Sequence, residues 1–362
     1  MARLHLLSYP AVLLICSVLV DAFPQYRITV PSPANFTGLK RIPDAAHPYR
    51  APLAWEQRGP CPGLNVMANH GYIPRSGVAT FEQLIAGAQE AFNMDYNFAM
   101  AVSAFGILAR GNPLLGIVSI GGRTPFVPPL PGIPDGIPGG FSKHGRFEGD
   151  VSLTRADAAL GDHVRFQPEM YKEFLRHVKE HGNGTDVVTM KAVQHYRFAR
   201  YQDSLKRNKK LVVMPGRRGF GLGEAGFVLD LFKNGNRTAL DVATMTTFFQ
   251  EERFPKDWTR RDRPYTFIDI LMAADTITRG FKQPYGYNAP NGTFIHDTSD
   301  PALEHTRCGV YVSLVRDNVP AVLLKTSGLL RENVDTLVKA MFPIFEPLGC
   351  KDLLQPGGPA WT

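Results

Sequence analysis

The sequence predicts a mainly α-helical protein, folded as one compact domain with long loops and minor β elements. Apolar residues recur at helical spacing in many segments, whereas β-favouring runs are short and occur at residues 115–120 and 310–314. Regular alternation of strands and helices is not visible, and neither is a repeat of about 20–50 residues. No linker divides the chain convincingly, so the helices are expected to share one core.

Helix boundaries follow from their end signals. Thr80 and Gln83 have the spacing of a capping box, in which each side chain binds a backbone N–H group at the start of a helix. Residues 95–109 form the next predicted helix, which Gly111 and Pro113 end. The remaining segments are a Pro- and Gly-rich loop at residues 128–140 and helices at residues 168–181, 189–206, 224–233, 241–252, 267–276 and 334–341.

Residues 1–22 are typical of a signal peptide. A basic start precedes an apolar run at residues 11–20, and small residues suit cleavage at the end. That run is too short to span a bilayer comfortably, and no later stretch reaches the roughly 20 apolar residues that spanning needs. We therefore expect a secreted, extracellular protein without a membrane span. A Pro-rich extended arm at residues 23–59 would precede the main domain at residues 60–362.

The net charge of +7 does not by itself indicate a nucleic-acid partner. Removal of the signal peptide takes away Arg3 and Asp21, so the charge is unchanged. The basic residues are scattered in short clusters, which is typical of a solvated surface, and no nucleic-acid partner is expected. Four N-glycosylation sequons are consistent with export and predict exposed loops at Asn35, Asn183, Asn236 and Asn291.

Three cysteines remain once Cys16 has left with the signal peptide: Cys61, Cys308 and Cys350. In an oxidising compartment two of the three should pair, leaving one free thiol or ligand. A bridge between Cys308 and Cys350 would contribute about 3–4 kcal/mol on the chain-entropy model. Cys61, far upstream in an unusual local sequence, then needs a separate explanation.

Cys61 lies between two prolines that restrict its backbone. Pro60 and Pro62 each fix their own φ, and Pro62 suits the first position of a short helix. The thiol would then lie at the positive end of that helix, where backbone N–H groups stabilise a thiolate. From the residues alone three interpretations remain open: a buried structural cysteine, a nucleophile with His70 as base, and a thiolate ligand of haem iron. A zinc site is disfavoured because only one cysteine is available.

A second group of polar residues occurs within residues 144–155. Glu148, Asp150 and Ser152 offer hard oxygen ligands that suit a Mg²⁺ ion retaining some of its waters. The alternative is a helix N-terminus at which the Asp and Ser side chains act as caps.

The segment from Pro60 to Gly77 resembles the signature of the haem-thiolate peroxidases, the family of chloroperoxidase and the unspecific peroxygenases. The resemblance extends over nearly all of the mature chain. It implies a chloroperoxidase-like helical domain around one haem b, with Cys61 as the iron ligand. The Glu148-Gly149-Asp150 sequence is similar to the peroxygenases, whereas chloroperoxidase has His in the middle. By this resemblance, the Glu148 carboxylate, the Gly149 carbonyl and the Ser152 hydroxyl of this chain would hold Mg²⁺.

The resemblance also implies an acid–base pair. Arg217 and Glu224 are seven positions apart, as in the long fungal peroxygenases, although by pattern alone they could be an exposed pair. Glu224 would move the proton of the peroxide and Arg217 would stabilise the developing charge. Arg218 is a rival for the arginine role, because the family usually has an apolar aromatic residue there.

Aromatic residues of the family's channel have counterparts in this chain. Phe147 and Phe227 match two of them, and Met94 stands where the long peroxygenases have a third. The same subgroup has an intrachain disulfide in the region of Cys308 and Cys350.

The resemblance thus predicts a secreted haem-thiolate peroxygenase that uses H₂O₂ to oxygenate small apolar or aromatic substrates and to carry out one-electron oxidations. The alternatives are a chloroperoxidase-like halogenating enzyme and a haem-free secreted binding glycoprotein. The sequence does not determine the oligomeric state.

Overall fold

The computed structural model describes residues 26–130, 138–182, 184–235, 237–297 and 308–350, apart from the side chain of Asp317. The predicted signal peptide and two predicted glycosylation sites, Asn183 and Asn236, lie outside the described residues. The α-helices are α1 Pro62–His70, α2 Phe81–Phe92, α3 Tyr96–Arg110, α4 Pro168–His181, α5 Met190–Arg207, α6 Pro215–Leu231, α7 Val242–Phe249, α8 Phe267–Thr278, α9 Gly309–Ser313, α10 Gly328–Ala340 and α11 Phe342–Phe345.

The strands of the described residues are short and form small antiparallel sheets, so the predicted mainly α-helical fold is confirmed. Strand β1 pairs with β7, β2 with β3, β4 with β6, and β5 with β8, which also pairs with β9. Their bounds are β1 Lys40–Arg41, β2 Val78–Thr80, β3 Ile117–Ser119, β4 Val187–Val188, β5 Val212–Val213, β6 Leu240–Asp241, β7 Thr259–Arg260, β8 Gly286–Asn288 and β9 Phe294–His296.

Helix α2 begins where its capping box predicts, and α3 begins one residue after its predicted start. The Thr80 hydroxyl accepts a hydrogen bond from the Gln83 N–H group, and the Gln83 side chain accepts one from the Thr80 N–H group, which completes the capping box of α2. Asp95 caps α3 by accepting from the Phe98 N–H group at 3.1 Å. Helix α3 is almost wholly buried, and α2 and α10 pack against it, so α3 forms the centre of the core.

Helix α6 begins well before the predicted range of residues 224–233. Its Gly-rich first half has low helix propensity, but tertiary packing overrides that preference. A Cβ atom on Gly223 would lie 2.4 Å from the Ile270 side chain, and one on Gly226 would lie 2.6 Å from that of Ala273. The missing side chains therefore let α6 and α8 approach closely.

The prediction of a β segment at residues 310–314 is wrong, because these residues are helical. A short apolar run cannot be assigned by periodicity alone. Here α9 packs on α6, and the Ser313 hydroxyl accepts a hydrogen bond from the Gly216 N–H group at 3.0 Å. A disulfide joins Cys308, before α9, to Cys350 near the end of the described chain.

The segment before α1 is attached to the body of the protein by β1 and by Arg260. The Lys40–Arg41 strand pairs with Thr259–Arg260. The fully buried Arg260 side chain donates hydrogen bonds to the carbonyl groups of Gln89 and Phe36. Among the described residues, no helix combines the length and the apolar character needed to cross a membrane.

Candidate active site

Cys61 is the N-cap residue of α1. Its backbone is extended, with φ −85° and ψ 110°, and Pro62 occupies the first turn of the helix, as predicted. Its thiol is the one cysteine of the described residues that forms no disulfide. Cys61 is neither fully buried nor exposed, so its side chain retains access to free space beside the helix.

Opposing influences act on the Cys61 thiol. Burial raises its pKa to about 11, and the negative charge of Glu224 acts in the same direction. Hydrogen bonds from the backbone N–H groups of Leu64 and Gly63, together with the charge of Arg155, favour the thiolate. The cofactor-free thiol is therefore protonated at neutral pH, and a bound metal would displace the proton.

The loop that carries Cys61 is held by Asn65. The Asn65 side chain accepts from the Gly59 N–H group and donates to the Gly59 carbonyl, both at 2.9 Å, and it also donates to Glu252 at 2.7 Å. A Cβ atom on Gly59 would lie 1.9 Å from the Ile120 carbonyl oxygen, so only glycine fits there. These contacts determine where the thiol can lie.

His70 is not placed to act as a base for Cys61. It lies at the opposite end of α1. One ring nitrogen is 2.9 Å from the His47 carbonyl, and the other accepts from the Phe254 N–H group at 3.2 Å. Because backbone groups occupy both nitrogens, the arrangement does not support the cysteine-nucleophile alternative.

Glu224 lies on α6, where its side chain is exposed but its surroundings disfavour the charged carboxylate. Its side chain is exposed, yet burial raises the pKa of its carboxyl to about 7. Both observations hold if the carboxylate faces a void enclosed by protein, which is accessible but shielded from bulk water. The charge of Glu148 raises the pKa further, while those of Arg197 and Arg155 lower it. The charge of Glu224 also raises the pKa of Cys61, so the two groups interact electrostatically.

The two candidate arginines of α6 point to different surroundings. Arg217 lies against the loop before α4, with its Cβ and Cδ atoms 3.9 Å from the position of a Cβ on Gly149. Arg218 donates a hydrogen bond to the Tyr285 hydroxyl at 3.1 Å, and its guanidinium lies 4.9 Å from the centre of that ring. Arg217 therefore lies towards the predicted metal-binding loop, and Arg218 lies towards β8.

Sequence reasoning missed two buried arginines near Glu224. Arg155 and Arg197 are 2% and 3% exposed, and the charges of both stabilise ionised Glu224. Arg155 also interacts with Cys61 and lies 3.7 Å from Glu252. Arg155 stands within the quoted 144–155 segment and could have been noted there, whereas no local signal marks Arg197.

The loop containing Glu148 is built around an ion pair. Glu148 is buried, and its Oε2 atom lies 2.6 Å from Nδ1 of His144. This hydrogen bond is the main reason that the pKa of His144 is raised. The Glu148 carbonyl also accepts from the Gly145 N–H group at 2.9 Å, so the loop is closed by its own polar groups.

The alternative of a helix N-terminus at Asp150 and Ser152 is not realised, because the next helix of the described residues is α4. The Ser152 hydroxyl accepts from the Thr154 and Arg155 N–H groups at 3.4 and 3.3 Å, and Asp150 accepts from the Ala158 N–H group at 3.0 Å. These side chains cap a turn-rich loop.

Aromatic rings form two layers between α3 and α6. In the first layer, Phe105 stacks on Phe220 with ring centres 5.0 Å apart and on Phe147 at 5.6 Å. Phe147 also stacks on Phe141 at 4.3 Å. The predicted channel residue Phe147 is therefore part of a larger cluster that sequence reasoning did not identify.

The second layer contains Phe227. Its ring lies 6.1 Å from Phe98 and 5.6 Å from Tyr265. Met94 is partly buried and its backbone bridges to Tyr265, which places it beside this layer. Glu224 lies about one helical turn from the phenylalanine that α6 contributes to each layer, so apolar rings flank the carboxylate.

A separate cluster occurs on α4, where possible ligand atoms of His177, Glu180 and His181 lie within 4.8 Å of one another. The Nε2 atom of His177 is 3.3 Å from the Arg176 guanidinium and 3.6 Å from Glu173. A network of helix-surface charges thus occupies these groups.

Comparison with known proteins agrees with this geometry. Residues 47–263 match the family described as peroxidase, family 2. The chain is 33% identical over 318 residues to the aromatic peroxygenase of Cyclocybe aegerita, covering 86% of this chain and 83% of that protein. It is 34% identical over 232 residues to the aromatic peroxygenase of Coprinellus radians, covering 63% of this chain and 88% of that protein. The chloroperoxidase of Leptoxyphium fumago matches over 41 residues, at 49% identity and 11% of each chain.

The chain therefore belongs to peroxidase family 2 and is a peroxidase- or peroxygenase-type oxidoreductase that acts on hydrogen peroxide. Membership of this haem-thiolate family implies a haem cofactor and argues against the haem-free binding glycoprotein. The residues fit such a group: a free thiol at a helix N-terminus interacts electrostatically with the Glu224 carboxyl, and the buried arginines Arg155 and Arg197 nearby supply positive charge for an anionic ligand.

Proposed function

We propose that this chain is a secreted peroxygenase that uses H₂O₂ to transfer oxygen to small aromatic or apolar molecules, and that it also carries out one-electron oxidations. The observation that carries the proposal is that Cys61, a free thiol at the start of α1, interacts electrostatically with Glu224 on α6, a carboxyl whose pKa is raised to about 7. The aromatic layers on either side of Glu224 suit apolar substrates. The relatives named aromatic peroxygenases support the same substrate class.

Cys61 would hold the haem b iron through its sulfur. Thiolate-ligated haem supplies the oxidising chemistry when bound, since donation from sulfur favours cleavage of the O–O bond. The chain contributes the rest. The backbone N–H groups of Gly63 and Leu64 stabilise the thiolate, and Asn65 holds the loop that places it.

Glu224 would act as the proton carrier. Its carboxylate would take a proton from one oxygen atom of hydrogen peroxide and return it to the other, which would leave as water. The remaining oxygen atom would pass to the substrate, so that R–H and H₂O₂ give R–OH and H₂O. A carboxyl with a pKa near 7 suits both transfers at neutral pH. Arg217 would stabilise the developing charge, and its contact with Gly149 of the neighbouring loop supports this assignment, whereas Arg218 donates to Tyr285.

Mg²⁺ would bind in the loop before α4. The Glu148 carboxylate, the Gly149 carbonyl and the Ser152 hydroxyl are hard oxygen donors of the kind that Mg²⁺ prefers. Its positive charge would also lower the pKa of Glu224, which the charge of Glu148 now raises. The test is metal analysis of purified protein together with a Glu148→Gln variant. Equal magnesium content in both proteins would contradict the assignment.

Secretion rests on residues 1–22 and on the sequons. Of the four sequons, Asn35 and Asn291 lie in the described residues, and both are exposed, as glycosylation requires. Secretion is tested by N-terminal sequencing of protein from the culture medium, which should begin near Phe23.

The proposed activity is tested with purified protein, ¹⁸O-labelled hydrogen peroxide and a small aromatic substrate. We expect a Soret band and one labelled oxygen atom in the hydroxylated product. Protein without a Soret band, or product without label, would contradict the proposal. Chlorinated product formed only in the presence of chloride would instead indicate a halogenating peroxidase.

A further inference from the structure

We propose that Arg197 is a positioning residue for Glu224: it reaches from α5 onto the face of α6 that carries this carboxylate and holds the carboxylate ionised and oriented. The inference rests on the proposed role of Glu224 as the proton carrier. It assigns the companion cation of Glu224 to a residue that lies outside the α6 motif.

The first observation is that Arg197 is buried without enough partners. Its side chain is 3% exposed, and its Nε and Nη1 atoms have no hydrogen-bond partner among the described residues. Burial of a cation is costly unless an anion compensates it. An arginine retained in this position therefore requires a negative group nearby.

The second observation is that Gly221 of α6 leaves space for the Arg197 guanidinium. A Cβ atom on Gly221 would lie 3.1 Å from Nη2 of Arg197, so a side chain at this position would press on the guanidinium. Gly221 precedes Glu224 by three residues, and residues so spaced are neighbours on one helix face. The lack of a side chain at Gly221 thus brings the Arg197 charge to the turn of α6 that ends at Glu224.

The third observation concerns Asp157, the other carboxylate that acts on Arg197, and excludes it as the group that Arg197 compensates. The pKa of Arg197 is lowered to about 9 by burial first, and the charges of Glu224 and Asp157 oppose that shift. Asp157 is already satisfied: Oδ1 accepts from the Val151 N–H group at 3.1 Å and from Arg200 at 3.3 Å, and Oδ2 accepts from Asn208 at 3.0 Å.

Glu224, by contrast, accepts no recorded hydrogen bond in the part of the chain that the structure describes. The other charged or titratable groups that act on it are Glu148, Arg155 and Cys61. Of the two cations, Arg155 donates to the Val164 carbonyl and to Thr154, and its Nη2 atom, which makes no hydrogen bond, lies 3.7 Å from Glu252. Arg197 has two nitrogen atoms, Nε and Nη1, without a hydrogen-bond partner among the described residues, so it has the larger number of unused donors.

The test is the pH profile of kcat/KM for H₂O₂ in the holoenzyme. Arg197→Gln removes the charge and leaves a shorter, uncharged polar side chain, so the ionised form of Glu224 becomes less favourable. We expect the acid limb of the profile to move up by about one unit or more. That shift lowers kcat/KM about tenfold or more at pH values below the limb. Arg197→Lys keeps the charge and should restore most of the wild-type profile.

A matched pair of glycine variants tests the geometry without removing the arginine. Gly221→Ala places a methyl group against the guanidinium and should move the acid limb in the same direction by a smaller amount. Gly219→Ala lies on the same helix, and its Cβ would make only ordinary contact with the Val310 methyl groups at 3.6 and 3.7 Å. It should leave the profile unchanged. Both changes replace glycine by alanine within a helix, which favours folding.

The outcomes separate this inference from the proposed function. If Glu224→Gln retains normal turnover, the proton-carrier role of Glu224 fails. If Glu224→Gln is inactive while Arg197→Gln and Gly221→Ala keep the wild-type profile and Soret band, only the role of Arg197 is overturned. If Arg197→Gln does not retain haem, the role of Arg197 is tested in the Gly221→Ala and Gly219→Ala proteins without cofactor. The measurement is an infrared titration of the Glu224 carboxyl. Equal titration midpoints in these two would contradict the proposal.

Discussion

Cys61 and Glu224 both have raised pKa values because of burial, but their surroundings differ in what they offer the ionised form. The thiol has backbone N–H donors from the first turn of α1, which prepare it to lose its proton to a metal. The carboxyl has a pKa of about 7, so it can gain and lose a proton at neutral pH. Burial raises the pKa of both groups, but these surroundings suit Cys61 as a metal ligand and Glu224 as a proton carrier.

Cys61→Ala removes the proposed iron ligand. We expect the carbon monoxide complex of the reduced protein to lose its thiolate-type Soret band, and peroxide-driven oxygenation to be lost with it. The measurement is the reduced carbon monoxide difference spectrum. A thiolate signature that survives in this variant would overturn the ligand assignment.

Glu224→Gln removes the proton carrier while conserving size. Turnover with H₂O₂ should fall about 10²–10⁴-fold, the usual contribution of a positioned general acid–base group, while the haem content stays normal. Glu173→Gln, in an exposed ion pair with Arg176, serves as the control and should behave as wild type. Loss of haem from Glu224→Gln would point to a structural role instead.

The pH dependence follows from the raised pKa of Glu224. The ionised carboxylate is the base, and its fraction grows as pH rises through the folded-state value of about 7, which lies above the ordinary 4.5. For magnesium-depleted enzyme we expect kcat/KM for H₂O₂ to be about a hundredfold lower at pH 5 than on the plateau. Bound Mg²⁺ should move this limb to lower pH. An acid limb at the same position with and without Mg²⁺ would contradict the proposed metal site.

At the scale of helices and loops, glycine positions determine how the site is assembled. Gly223 and Gly226 let α6 pack closely on α8, and Gly221 leaves space for Arg197 on another side of the same helix. Gly59 allows the Cys61 loop to pass the backbone at Ile120. A sequence of low helix propensity therefore forms a long helix because its contacts require the absence of side chains.

Asn65→Ala tests the loop that carries Cys61. The variant leaves the buried N–H and C=O groups of Gly59 without their partner, so the free energy of unfolding should fall by about 1–3 kcal/mol. Urea denaturation measures this, and haem retention should weaken in parallel. Asn97→Ala, an exposed change on α3, should alter stability by less than about 0.5 kcal/mol. Equal effects of the two variants would contradict the role given to Asn65.

At the scale of the whole molecule, segments that are far apart in the chain hold one another in place. Strand β1 pairs with β7, and α9 packs on α6 with Ser313 bonded to the first turn of that helix. The disulfide at Cys308 holds α9 to the C-terminal region. The C-terminal part of the chain thus supports α6 without contributing a proposed catalytic residue.

Replacing both Cys308 and Cys350 by Ser should lower the free energy of unfolding by about 3–4 kcal/mol, because the cross-link closes a long loop in the unfolded chain. Urea unfolding of the two proteins at one pH measures the difference. The Soret band of the folded variant should be unchanged, since neither cysteine belongs to α1 or to the loop that Asn65 holds. A thiolate signature altered in folded protein would show that the bridge also shapes the haem site.

The sequence by itself determined the local features: the capping box of α2, the Pro-Cys-Pro start of α1, the mainly helical class and the residues that mark the family. These depend on neighbouring residues, so they can be read from short segments. It also placed Glu224 as a candidate, but only through resemblance.

Tertiary structure alone decided the remaining features. The start of α6 at Pro215, the helical state of residues 310–314 and the approach of Arg197 depend on which helices pack together. Packing contacts and charge compensation between residues far apart in the chain outweigh local preference, and no local pattern records them. The clearest case is Arg197, a buried cation on α5 whose charge acts on Glu224 although it lies outside the motif that contains the carboxylate.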